Sequence, residues 1–217
     1  MYKKNICYAL FFIFIFSLSQ SGAFSEKKEI QLVKPDRNGG IPLMSALNKR
    51  NSSRSFSEKK LSDQVLSNIL WAAYGINRVE SGKRTAPSAM DKQEIDIYAA
   101  MESGLYKYNA SVHSLELISA KDVRSLTGQQ GFVKKAPLNL IFVADMSKVA
   151  GGTTEEKLLY AGADTGFIGE NVYLYCASEG LGTVIRAYID KNALGKAMNL
   201  NENQMIILSQ TVGYPDK

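Results

Sequence analysis

Leu138-Asn139-Leu140-Ile141-Phe142-Val143-Ala144 is an apolar run broken only by Asn139. Such continuity, without strict alternation, reads as a central strand buried on both faces. Upstream, Glu94 to Met101 alternates: Ile95, Ile97 and Ala99 face one way, Glu94, Asp96 and Tyr98 the other. Gly104 to Tyr108 and His113 to Leu117 alternate likewise, and Asn109 to Ser111 join them as a hairpin. Downstream, Thr153 or Thr154 caps a long helix running to about Ser178, with Leu158, Ala161, Phe167, Val172 and Leu174 on its apolar side. Thr183 to Ile189 is a strand, Lys191 to Met198 a short helix, and Gln204 to Gln210 the last strand. Toward the N-terminus, Pro42 opens a short helix through Leu47. Ser62 caps a second helix, with Val65, Ile69, Ala72 and Ala73 on one face and Gly75 at its end. Strands grouped in the middle with helices around them predict an α+β domain: a central, mostly antiparallel sheet flanked by helices. There is no regular βαβ alternation, no Gly-x-Gly-x-x-Gly after a first strand and no P-loop, so a Rossmann dinucleotide site is not supported.

The first residues read as a targeting signal. Lys3 and Lys4 precede an apolar run from Ile6 to Leu18, and Ser21 and Ala23 fit a small-x-small cleavage site. The run is shorter than the ~20 residues a spanning helix needs. The expected organisation is a signal peptide at 1–23, a tether at 24–41 and a domain at 42–217. The protein would then be exported, to the periplasm or cell envelope, with no stable membrane span after cleavage. The mature chain keeps one cysteine, Cys176, inside an apolar helical stretch, where it reads as a core residue. The net charge of +5 is too mild, and too evenly spread, to indicate nucleic acid. One histidine, His113, makes a His-based metal site or a Ser-His-Asp triad very hard to build. Any hard chemistry therefore points to a cofactor.

Three segments could carry that cofactor. Arg50-Asn51-Ser52-Ser53-Arg54-Ser55-Phe56 places two forked, permanent cations around two hydroxyls, which suits a phosphate. Alone, it reads first as a solvated basic loop. Arg84-Thr85-Ala86-Pro87-Ser88-Ala89-Met90-Asp91 is small and extended before a strand, and a flat ring could approach it; alone, it is a turn. Glu179-Gly180-Leu181-Gly182 ends the long helix, where backbone amides could face a ligand with no Cβ in the way; alone, it is a helix stop.

Taken in order, these segments resemble the nitroreductase family of flavoproteins. Ile69-Leu70-Trp71-Ala72-Ala73-Tyr74-Gly75, Lys135-Ala136-Pro137, Glu170-Asn171-Val172-Tyr173-Leu174 and Gly213-Tyr214-Pro215 agree, and the match covers roughly Pro42 to Pro215. The Pro-Ser-Ala and Gly-x-Tyr-x-Tyr segments look closest to the branch containing SagB-type dehydrogenases. The resemblance implies a homodimer with FMN at the subunit interface. It assigns Arg50 and Ser52 to the FMN phosphate and ribityl chain, and Arg54 to the flavin N1/O2 edge. Ser88 falls in the flavin-approaching segment. Asp91 stands where the family usually has an Asn that contacts the pyrimidine ring. Glu179 and Gly180 match the segment whose amide meets flavin N5. No side chain is implied as a catalytic acid, base or nucleophile, and no metal.

Two departures bear on this. Many family members continue past Gly-Tyr-Pro into a tail with further basic phosphate ligands, whereas here Lys217 is the last residue. Family enzymes also usually take hydride from cytosolic NAD(P)H, which an exported protein would not meet. The expected function is two-electron reduction of a small organic acceptor by a small-molecule donor. The alternatives are a SagB-like dehydrogenase that oxidises its substrate, and a flavin-binding envelope protein without turnover. Arg186, on the strand after Gly-Leu-Gly, is expected either to face the acceptor or to form a surface ion pair.

Overall fold

The computed structural model describes residues 29–216. The signal segment expected at 1–23 and Lys217 lie outside the described residues. In chain order the elements are β1 (Glu29–Gln31), α1 (Leu43–Lys49), α2 (Asp63–Tyr74), β2 (Ile76–Arg78), β3 (Lys83–Arg84), β4 (Ile95–Met101), β5 (Gly104–Asn109), β6 (Ser114–Ser119), α3 (Phe132–Lys135), β7 (Leu138–Asp145), α4 (Thr154–Glu179), β8 (Gly182–Arg186), α5 (Lys191–Ala197) and β9 (Gln204–Gly213). Seven strands form one sheet in the order β1-β6-β5-β4-β7-β9-β8, every neighbouring pair antiparallel. β2 and β3 make a separate small hairpin.

The apolar run that opened the sequence reading is β7, and its neighbours explain its composition. Leu138, Leu140, Phe142 and Ala144 face a core shared with Ile69, Leu70 and Ala73 of α2 and Ala161, Ile168 and Val172 of α4. Ile141 and Val143 face the opposite core, with Tyr98, Leu194 and Met198. The sheet is thus covered on both sides at β4 and β7, and burial there supplies most of the hydrophobic driving force.

Helix ends follow the expected chemistry. The Ser62 hydroxyl accepts from Val65 N–H at 3.3 Å. Thr153 and Glu156 form a reciprocal capping box: the Thr153 hydroxyl accepts from Glu156 N–H at 3.1 Å, and the Glu156 carboxylate accepts from Thr153 N–H at 3.0 Å. Gly180 closes α4 in the left-handed region, at φ 68°.

Three expectations change. The described part of the tether is not loose chain: Glu29–Gln31 pairs with β6, Leu32 is buried, and Leu32 N–H donates to the His113 carbonyl. A three-residue edge strand has too little periodicity to show in sequence. On α4, Leu158 and Phe167 are exposed, and the inward face carries Asp164, Thr165, Gly169 and Tyr173 beside Ala161, Ile168, Val172 and Cys176. The helix has apolar residues on both sides, so periodicity alone did not choose its buried face. The strand expected at Thr183–Ile189 ends at Arg186.

Thr153→Ala removes half of the capping box and is expected to lower stability by about 1 kcal/mol, measured as a shift in urea midpoint at constant m-value.

Candidate functional site

The Arg50–Phe56 segment follows α1 directly and is held from below by α4 and β8. Phe56 is 1 % exposed, packs against Phe132 at 5.5 Å between ring centroids, and makes a β-bridge with Pro215. Ser53 N–H donates to the Thr183 carbonyl at 2.9 Å. The Ser52 hydroxyl meets the Tyr173 hydroxyl at 3.0 Å, and that oxygen accepts from Ile185 N–H at 3.0 Å. Tyr173 is therefore a hub that fixes the loop to helix and sheet at once. Arg50 lies with its guanidinium 5.4 Å from the Tyr173 ring centroid. Arg54 is exposed. Neither arginine has an ion-pair partner among the described residues. The adjoining end of α4 presents Glu179 and Gly180 to solvent, and a Cβ on Gly180 would meet nothing within 4 Å. Gly182, by contrast, is buried, and a Cβ there would press on Ser53 at 3.0 Å, so glycine is what lets the loop sit down on β8.

Ser88 and Asp91 lie elsewhere. Ala89 N–H donates to the Asp164 carboxylate at 2.8 Å, and the Ser88 hydroxyl accepts from Gln93 N–H at 2.9 Å. Met90, Asp91 and Gln93 all take left-handed backbone, at φ 52°, 54° and 49°. Non-glycine residues there are strained. Asp91 is exposed, with its carboxylate accepting from Gln93 Nε2 at 3.1 Å. Arg84 reinforces the segment, donating from Nε to Gln93 Oε1 at 2.7 Å and from a terminal nitrogen to the Tyr74 carbonyl at 3.0 Å.

The seven predicted residues thus form two clusters. Arg50 and Ser52 meet Tyr173, Arg54 follows in the same loop and Glu179 and Gly180 close the same helix, whereas Ser88 and Asp91 flank the Ala89 amide that Asp164 holds. The two anchors are separated along α4 by roughly 13 Å, at about 1.5 Å of rise per residue.

A family model described as the nitroreductase family matches residues 47–214. The chain belongs to the nitroreductase family. A protein of Methanocaldococcus jannaschii named as a nitroreductase is 32 % identical over 179 residues, covering 77 % of this chain and 89 % of that one. The crystal structure of a nitroreductase from Ralstonia eutropha superposes with a TM-score of 0.83 at 44 % identity, covering 89 % of this chain and 92 % of the other. A chain of the Escherichia coli microcin synthetase complex, solved with a truncated precursor bound, shares the fold at a TM-score of 0.69 and 20 % identity, covering 95 % of this chain and 85 % of its own.

Membership of the nitroreductase family implies oxidoreductase chemistry with a flavin, and the residues present fit a phosphate-bearing flavin. Arg50 and Arg54 have no ion pair among the described residues and stand beside the Ser52 hydroxyl, so a phosphate would find donors there; the backbone at Gly180 is exposed, although its N–H is given to the Cys176 carbonyl. The sequence reading missed Tyr173, Asp164 and Arg84, whose roles come from long-range contacts rather than from any local pattern. It also misplaced Arg186. That side chain is 6 % exposed and faces neither an acceptor site nor a surface carboxylate. It donates to the Thr127 carbonyl at 2.8 Å, to Asn139 Oδ1 at 3.0 Å and to the Thr211 hydroxyl at 2.8 Å. Burial lowers its pKa to about 10, so it remains charged at neutral pH. Cys176 is buried, and burial pushes its thiol pKa up, consistent with a core role.

Arg186→Met removes three buried hydrogen bonds from a charged donor and is expected to cost about 2–3 kcal/mol of stability, read from chemical denaturation. Ligand affinity of the folded fraction should stay at the wild-type value, because Arg186 does not reach either cluster.

Proposed function

We propose that this nitroreductase-family protein is an exported, FMN-dependent oxidoreductase that reduces a small organic acceptor by two electrons. The carrying observation is the pair Arg50 and Arg54, free of ion pairs among the described residues, beside Ser52 and the exposed Gly180. Arg50 and Ser52 would hold the phosphate and ribityl chain. Arg54 would stand at the N1/O2 edge, where a fixed cation lowers the energy of negative charge that develops on reduction. Ser88 and Asp91 would contact the ring, and the Glu179–Gly180 backbone would face N5. Bound FMN would supply the two-electron chemistry, so no side-chain nucleophile, acid or base is required. Export rests on Lys3, Lys4, the apolar run and the Ser21-x-Ala23 site.

The two-cluster arrangement supports a homodimer. Leu159, Ala163, Gly166 and Phe167 form an exposed stripe on α4, and Leu43, Met44 and Leu47 are exposed on α1, which packs beside it. Apolar stripes of this kind mark interfaces. Twofold pairing along α4 would set the Ser88–Asp91 cluster of one copy against the Arg50–Gly180 cluster of its partner. Resemblance of the Pro87-Ser88-Ala89 region to the SagB-type branch favours a second reading, in which the flavin oxidises a substrate. Turnover with oxygen and no pyridine nucleotide would select it.

Purified protein given FMN should show bound-flavin absorbance bands, and Arg50→Ala should weaken binding by about 1.5–3 kcal/mol, the scale of a charge-assisted hydrogen bond. Unchanged affinity would place the phosphate elsewhere. Phe167→Glu should convert the dimer to monomer by light scattering and abolish FMN binding with it; a monomeric wild type that binds FMN would overturn the two-copy site.

A further inference from the structure

The flavin reading leaves a buried pair of acids unused. Glu94, just before β4, and Asp164, on the inward face of α4, are each 2 % exposed. They lie against one another beneath Ser88–Gln93. Apart from Asp164 and the Glu94 backbone itself, neither Glu94 carboxyl oxygen has a hydrogen-bond partner among the described residues, and neither acid takes part in an ion pair there.

Among the described residues around them, no uncommitted cation compensates the pair. From α2 comes Tyr74, 1 % exposed, whose hydroxyl lies by Ser88 and whose pKa burial raises to about 12. From β3 comes Arg84, but its guanidinium is committed to Gln93 and the Tyr74 carbonyl and lies over the Tyr74 ring. Tyr108 of β5 also lies near Arg84, and burial keeps it protonated. After β7, the Asp145 backbone N–H donates to the Glu94 carbonyl at 3.0 Å, while the Asp145 carboxylate turns to Ser147 and Lys148. On α4, Lys157 gives its ammonium to the Met146 carbonyl. Asp91 and Lys92 in the segment above are exposed.

Two carboxylates this close in a dry site do not both ionise readily. Asp164 accepts the Ala89 N–H at 2.8 Å, whereas the Glu94 carboxyl has no backbone donor beyond its own residue and is raised by burial, so the proton belongs on Glu94. That same bond restrains a segment with three strained residues, Met90, Asp91 and Gln93. We propose that Glu94 and Asp164 are a positioning pair that shares one proton and holds the strained Ser88–Gln93 segment in its ligand-facing form. Loss of the proton puts two negative charges together, draws Asp164 from the Ala89 amide or admits water, and loosens the segment. The link to ligand binding rests on the reading of Ser88–Asp91 as part of the FMN site.

The pH direction follows from the acid pair. Burial, then the neighbouring Asp164, raises the Glu94 pKa from 4.5 to about 7. A raised carboxyl contributes stability that is full below its ordinary range and is lost as pH climbs through the folded value. The loss therefore spans about pH 4.5 to 7.

The test compares wild type with Glu94→Gln and Asp164→Asn. In ligand-free protein, the wild-type thermal midpoint should fall across that window. Glu94→Gln should match wild type near the acid end and melt several degrees higher at about pH 8. At about pH 6 the infrared spectrum of wild type should hold a protonated-carboxyl stretch that Glu94→Gln lacks. At about pH 8, amide exchange of residues 88–93 should be faster in wild type than in Glu94→Gln. FMN affinity of wild type should drop about fivefold from about pH 6 to 8.5, and that of Glu94→Gln less than about twofold. Asp164→Asn should move the wild-type midpoint fall to lower pH, and it serves if Glu94→Gln does not fold. Parallel midpoint curves for all three proteins, with no carboxyl stretch, would overturn the pair. Equal exchange at residues 88–93 would overturn its positioning role. If FMN binds at no pH, the function proposed above fails, while the midpoint, infrared and exchange results still decide the pair.

Discussion

Helix α4 buries polar side chains among its apolar ones and leaves other apolar ones exposed, and the rest of the site depends on that mixed face. Asp164 and Tyr173 point into the protein, whereas Leu159 and Phe167 point out. Each buried polar group needs a partner, because an unpaired one costs about 1–3 kcal/mol. Tyr173 finds its partners in Ser52 and the Ile185 amide, and Asp164 in the Ala89 amide. Two loops distant in sequence are therefore pinned to one rigid rod. The rod supplies spacing between them, and the sheet behind it supplies the burial that keeps the rod in place.

Much of the fold was legible because local chemistry and tertiary role agree. β7 reads as a doubly buried strand and is one; Ser62, Thr153 and Gly180 read as helix boundaries and are. Legibility failed where elements are too short or where position is set by distant neighbours. β1 and β3 have too few residues to show a period. The buried face of α4 is selected by fit: a Cβ on Gly169 would come within 2.6 Å of Ile185, so helix and sheet meet closely there and leave the bulky Phe167 outside.

The site divides the same way. Arg50, Ser52, Arg54, Glu179 and Gly180 could be placed together from motif order, and they share one end of α4. Ser88 and Asp91 come from the same motif order, yet they sit at a second position that no one-dimensional reading separates from the first. Arginine shows the difficulty most plainly. Arg50 is half-buried over Tyr173 with no ion pair among the described residues, while Arg186 is buried against a carbonyl, an amide and a hydroxyl. Nothing in the neighbouring residues distinguishes the two; the carbonyl end of Thr127 and the oxygens of Asn139 and Thr211 do.

The bridge between Phe56 and Pro215 joins a loop near the start of the domain to the segment after its last strand. Gly213 packs on Phe56 and Pro137 at the same place. Contacts of such sequence separation form late, because the intervening chain must be ordered before they repay loop closure. During synthesis, Tyr173 and Thr183 are available to hold Arg50–Ser53 first, but Phe56 lacks its bridge until Pro215 has emerged. β9 must also reach Gly213 before β8 has its neighbour in the sheet, so the sheet and the loop end at Phe56 settle together, and acquisition of ligand would report insertion of β9.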